Sequence, residues 1–145
     1  MTVIAWEGKT LAADRQATTG STKQSVKKIY ATGGKLLGLT GDISVGMEMI
    51  DWYTAGADPK LYPQSNRNPS EGCSLIVVSP SGRVEKYEST PHAFEIQGPF
   101  AAFGNGADAA LAVMHMGGTA ARAVEIASQV CSGCGCGLDA LEFAQ

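Results

Sequence analysis

Residues 2–7, TVIAWE, and 10–18, TLAADRQAT, are two runs of β-branched and apolar side chains that meet at Gly8-Lys9. Such side chains fit a pleated, half-buried strand, and a two-residue connection containing glycine fits a tight hairpin. The chain is therefore expected to open as two antiparallel strands. KKIYA (27–31) and KLLGLT (35–40) repeat the arrangement around Thr32-Gly33-Gly34 and predict a second hairpin. Asp42 then stands as an N-cap before ISVGMEMIDWYTAG. Val45, Met49, Ile50 and Tyr53 recur there at helical spacing, so one face of this helix should lie on a core.

Residues 56–70, GADPKLYPQSNRNPS, hold three prolines among mostly polar residues and read as an irregular loop. CSLIVVS, RVEKYES, AFEIQ and FAAFG follow as short apolar or alternating runs separated by Pro and Gly, hence as further strands. ADAALAVMHM and TAARAVEIASQVC predict two helices parted by Gly117-Gly118, with Thr119 as N-cap of the second. Strands, one helix, strands and two helices in that order predict a layered α+β domain over residues 1–145 rather than alternating βαβ units. With 44% hydrophobic residues among 145, the chain can build one such core.

Charge excludes one broad class of partner. The formal net charge is −3 and the only short basic run is Lys27-Lys28, too little to clamp a nucleic-acid backbone. No apolar stretch approaches the roughly 20 residues that span a bilayer, and no basic-then-apolar leader opens the chain. A cytoplasmic protein without a membrane partner is expected. Three of the four cysteines crowd into CSGCGCG (131–137), unlike a secreted disulfide framework, and the thiols have neither a second close pair nor a nearby His for a tetrahedral metal site. No metal and no cofactor is expected. GNGADA (104–109) matches a dinucleotide fingerprint, but too little chain follows it to build the parallel sheet such a site needs, and a helix start is the better reading. His92 and His115 read as surface or packing residues, and Met47 and Met49 as packing.

Chemistry points to Thr2. Removal of Met1, the only pro-segment expected here, would give Thr2 a free α-amine beside its hydroxyl, a nucleophile and a base on one residue. An α-amine with an ordinary pKa of about 7.7–8.0 can take the hydroxyl proton and return it to a leaving amine. A nearby ammonium favours that ionisation, and a carboxylate holds the ammonium; Asp14 in the middle of the predicted second strand and Lys28 at the start of the third stand to serve. As an alternative, Asp14 and Lys28 form a structural ion pair only. Gly41, in LTGD before the first helix, can turn its N–H towards a developing oxyanion.

TVIAWEGKTLAADRQATTG, KKIY, LTGD, GNGADAALA and IASQVCSGCG occur in the order and approximate spacing of the corresponding segments of proteasome β-type subunits. The chain resembles that family from Thr2 to LDALEF, and within it the HslV peptidase and the compact proteasome-like proteins of bacteria and phages. The resemblance implies a four-layer αββα sandwich of the N-terminal nucleophile (Ntn) hydrolases. It implies Thr2 as nucleophile, Asp14 and Lys28 as its supporting pair, Gly41 as oxyanion donor, and Asn105 and Ser132 close by. It also implies that Ala17, Thr18, Val26, Tyr30, Leu39, Ile43 and Met47 shape the substrate pocket; apart from the Thr18 and Tyr30 hydroxyls these are apolar and without charge, which fits an apolar residue on the acyl side of the cleaved bond.

The implied activity is threonine-type peptide hydrolysis inside a homo-oligomer of stacked rings, with a peptide or unfolded protein as substrate and an ATP-dependent unfoldase as a further partner. Three departures stand out. Asn105 replaces the usual Ser, Gln129 replaces the common Asp, and one helix followed by the Pro-rich loop replaces a pair, which reduces the first helical layer. A catalytically silent assembly module and an amidohydrolase acting on a small amide are the alternative readings.

Overall fold

The computed structural model describes residues 1–144. β1 (Ile4–Trp6) and β2 (Thr10–Asp14) form the expected hairpin, with Ile4 opposite Ala13 and Trp6 opposite Leu11. The next two strands, β3 (Gln16–Thr19) and β4 (Thr22–Ser25), pair only with each other as a projecting ribbon. β5 (Ile29–Thr32) and β6 (Lys35–Gly41) make the second predicted hairpin, and α1 (Ile43–Thr54) follows. Asp42 caps this helix by accepting from the Val45 N–H. β7 (Cys73–Val78), β8 (Val84–Tyr87), β9 (Phe94–Ile96) and β10 (Ala101–Phe103) come next, then α2 (Ala107–His115), α3 (Ala120–Val130) and β11 (Leu138–Glu142).

Two antiparallel sheets result, one ordered β10-β1-β2-β11 and the other β5-β6-β7-β8-β9. Their side chains alternate between two buried environments, as the two-residue period of a strand requires. From the first sheet, Ile4, Trp6, Leu11 and Ala13 meet Ile29, Leu36, Ile76 and Val78 of the second in one apolar cluster. The opposite faces carry Val3, Ala5 and Ala12 against Ala110, Met114, Ala123 and Val124 of α2 and α3, and Leu37, Leu39, Leu75 and Val77 against Val45, Met49 and Trp52 of α1. Alanines on both sides of the first helix–sheet contact bring backbones close there.

The mixed helix-and-sheet reading agrees with this architecture, and several boundaries are corrected. The run 10–18 is two strands, because the chain leaves the first sheet at Arg15; Asp14 is thus the last residue of β2 rather than its middle. Lys28 immediately precedes β5, not a third strand, because β4 intervenes. The chain does not end in two helices, since β11 pairs with β2 along the far edge of the first sheet. Residues 59–61 and 64–66 of the Pro-rich loop form short 3₁₀ turns. On α1 it is Trp52 that is buried, while Ile50 and Tyr53 are half-buried. Among the described residues no helix is long and apolar enough to cross a membrane.

Candidate active site

Asp14 ends its strand in one sheet and Lys28 stands just before a strand of the other, so the end of the sandwich brings the two together. Both are buried, at 0% and 1% exposure. Lys28 has three N–H donors and three acceptors around it. Nζ donates to Asp14 Oδ1 at 2.8 Å, to Met1 O at 3.1 Å and to Thr2 Oγ1 at 3.3 Å. Asp14 is held as fully: Oδ1 also accepts from the Val3 N–H at 3.1 Å, and Oδ2 accepts from the Gly135 and Gln16 N–H groups at 3.1 and 3.3 Å. A buried ion pair adds little net stability, but it fixes geometry when its hydrogen bonds are complete. Here it points an ammonium at a threonine hydroxyl.

Thr2 is itself 4% exposed. Its carbonyl accepts from the Gly106 N–H at 3.1 Å, and Gly104 (φ +91°) lies so close to that carbonyl that a Cβ would collide with it. The Gly104-Asn105-Gly106 turn therefore wraps the Thr2 backbone, with Asn105 exposed at its apex. Met1 is exposed at 61% and its side chain lies over Gly133.

Gly41 closes β6 with φ +92°, and a Cβ there would stand 2.6 Å from Gly72 O, so both conformation and space call for glycine. The Leu39 N–H donates to Lys28 O and the Asp42 N–H to Gly72 O; alternation from Leu39 turns the Gly41 N–H to the Lys28 side. An open cleft of about 700 Å³ runs from Met1 past Gly41, Asp42 and Val45 to Ser70, Glu71 and Gly72. The Asp42 carboxyl titrates below its ordinary range, chiefly because it accepts from the Val45 N–H and also from the Ser44 hydroxyl.

The remaining expected residues differ in exposure and contacts. Ser132 is exposed in the turn after α3, and its carbonyl accepts from Gln16 Nε2 at 3.3 Å. Ala17, Val26, Tyr30 and Ile43 are half-buried, Thr18 and Met47 exposed. Tyr30 OH donates to Lys27 O at 2.9 Å and stands 4.0 Å from Met47 Sδ, which joins two of these positions. Leu39 differs: it is fully buried under α1, where a Cβ on Gly46 would meet its Cδ1 at 2.6 Å, and it packs in the core beneath that helix.

Other contributors were not singled out from sequence. Gly135 and the buried Gln16 support Asp14, and Lys27 lies 4.9 Å over the Tyr30 ring. The glycine spacing of CSGCGCG was the available signal for the first. Cys134 of that loop lies buried behind the site, and burial foremost, then the Cys131 thiol, pushes it up to about 12. Among the described residues no three His, Cys, Asp or Glu side chains gather as a metal site.

No family model and no curated protein matches the sequence. Solved structures match throughout. BPH of Thiobacillus denitrificans is similar at a TM-score of 0.69 and 17% identity over 99% of this chain and 98% of that one. The same protein in complex with epoxomicin gives 0.69 and 17% over 99% of each. Eukaryotic HslV from Trypanosoma brucei gives 0.71 and 18% over 97% of each. The chain thus has the proteasome-like fold of the BPH and HslV structures.

Proposed function

We propose that the chain is an N-terminal threonine peptidase, matured by cleavage of the Met1–Thr2 bond. The observation that carries this reading is the Lys28 ammonium held between Asp14 Oδ1 and Thr2 Oγ1 at 2.8 and 3.3 Å. In the reaction, the freed Thr2 amine takes the hydroxyl proton while Oγ1 attacks the substrate carbonyl carbon, and Lys28 favours the ionised oxygen. The Gly41 N–H donates to the oxyanion. Collapse breaks the C–N bond, the protonated Thr2 amine passes its proton to the leaving amine, and water hydrolyses the resulting Thr2 ester. Asn105 and Ser132 flank the reacting groups. The BPH–epoxomicin complex supports looking for the same ligand here.

The layers of helices, sheet, sheet and helix are read as the four-layer αββα Ntn-hydrolase sandwich in one domain, its first helical layer reduced to α1. A cytoplasmic homo-oligomer of stacked rings acting on peptides or unfolded protein, with an ATP-dependent unfoldase as partner, completes the reading. On a fluorogenic peptide panel, substrates with an apolar acyl-side residue should be cleaved fastest and Thr2→Ala should abolish turnover. Turnover that survives Thr2→Ala, or fastest cleavage after a charged residue, would overturn it.

A second reading is favoured by Gln129, which stands where the family pattern commonly has an Asp. A chain that keeps Met1 has no free Thr2 amine and would be a silent assembly module.

A further inference from the structure

We infer that Gln16 is a positioning residue that couples the β3–β4 ribbon to the Ser132 turn, an inference that rests on the peptidase reading. Gln16 is 3% exposed, yet it is polar and every polar group of its side chain is engaged. Nε2 donates to Thr18 Oγ1 at 3.1 Å and to Ser132 O at 3.3 Å. Oε1 faces the Cys136 thiol at 4.0 Å and would lie 3.1 Å from a Cβ on Gly135, so the loop passes hard against it. Its main-chain N–H donates to Asp14 Oδ2 at 3.3 Å. One residue thus reaches the supporting carboxylate through its backbone, and the ribbon and the Ser132 turn through its amide.

Gln16 adds to the other ties at the ribbon's base, among them Ser25 Oγ donating to Cys136 O at 3.4 Å. The ribbon joins neither sheet, and every residue of β4 is exposed, so no core sets its direction. Its orientation is fixed at the base, where the Val26 N–H donates to Arg15 O, Arg15 Nε donates to Ser25 Oγ, and Gln16 bridges inward. An amide suits this place because it donates at one end and accepts at the other. A carboxylate there would face the Ser132 carbonyl with no proton to offer, and an apolar side chain would fill the volume while losing the part-buried bonds to Ser132 O and Thr18 Oγ1.

The test compares wild type, Gln16→Met, Thr18→Val and the double variant by peptide kinetics and by hydrogen–deuterium exchange. Gln16→Met should lower kcat/KM about tenfold, the loss typical of a buried hydrogen bond left half-made. Thr18→Val removes the ribbon's acceptor for Gln16 Nε2, so exchange in the double variant should rise no further than in Gln16→Met alone. Exchange should rise in 17–25 and 131–136 while 4–14 stays protected. Additive increases in exchange in the double variant, or exchange that is unchanged or raised throughout, would overturn the coupling. If Gln16→Met fails to fold, Thr18→Val at its exposed position still reports: faster exchange in 131–136 supports the coupling and unchanged exchange overturns it. A wild type that cleaves no peptide counts against the peptidase reading, whereas the exchange data decide the coupling by themselves.

Discussion

Lys28 lies between the sheets, where an ammonium left without its counter-charge costs several kcal/mol. Asp14→Ala should therefore lower the unfolding free energy by about 3–5 kcal/mol in urea, and adding Lys28→Met should restore most of the loss. An Asp14→Ala variant as stable as wild type would show that the pair is solvated. The thiols give a second check. Burial pushes Cys73 and Cys134 up to about 12 in the fold, against about 8.5 for an unfolded thiol. A raised folded value means stability that is complete below the unfolded pKa and lost as pH climbs through the folded one, so unfolding should become easier between about pH 8.5 and 12. At pH 8 iodoacetamide should modify the exposed Cys136 and spare Cys73 and Cys134 until the chain unfolds. Rapid native labelling of the two buried thiols would contradict their burial.

The Pro-rich loop of residues 56–70 is held by two buried side chains, Asn66 and Tyr62. Asn66 Nδ2 donates to Tyr62 OH at 2.7 Å and to Glu88 O at 2.8 Å, and Oδ1 accepts from the Cys73 N–H at 2.7 Å. Asn66→Ala should cost about 1–3 kcal/mol, the penalty of leaving buried groups unpaired. The loosened loop should also disturb the cleft wall at Ser70 and Glu71, read as a higher KM. An unchanged melting temperature would refute this role. Much of the element order was legible beforehand, because Asp42 and Thr119 cap helices and the apolar runs alternate between the flanking layers. The break at Arg15 was not legible: QAT continues the strand-like pattern of TLAAD, and only the tertiary pull of Gly135 O on the Arg15 N–H diverts it. β11 is not legible either, because Leu138 and Leu141 fall on opposite faces and Leu138 is 38% exposed, which blurs the burial pattern.

Across the whole molecule, the hydroxyl, the ammonium and the carboxylate come from three strand ends that the sequence spaces 12 and 14 residues apart. Their residue types were legible in sequence; their distances depend on how two sheets stack, which no local pattern encodes. Leu39 shows the same limit, since an apolar residue reads alike whether it faces a pocket or a core. If the chain assembles into rings, light scattering should give a mass several times the 15.0 kDa of one chain. A monomer at micromolar concentration would remove the ring from the proposal while leaving the chemistry in place.

Intact mass before and after epoxomicin tests the Thr2 assignment most directly. The account predicts a chain that has lost Met1 and gains one adduct, with the adduct absent in Thr2→Ala. Retained Met1 with no adduct, or an adduct that survives Thr2→Ala, would contradict it.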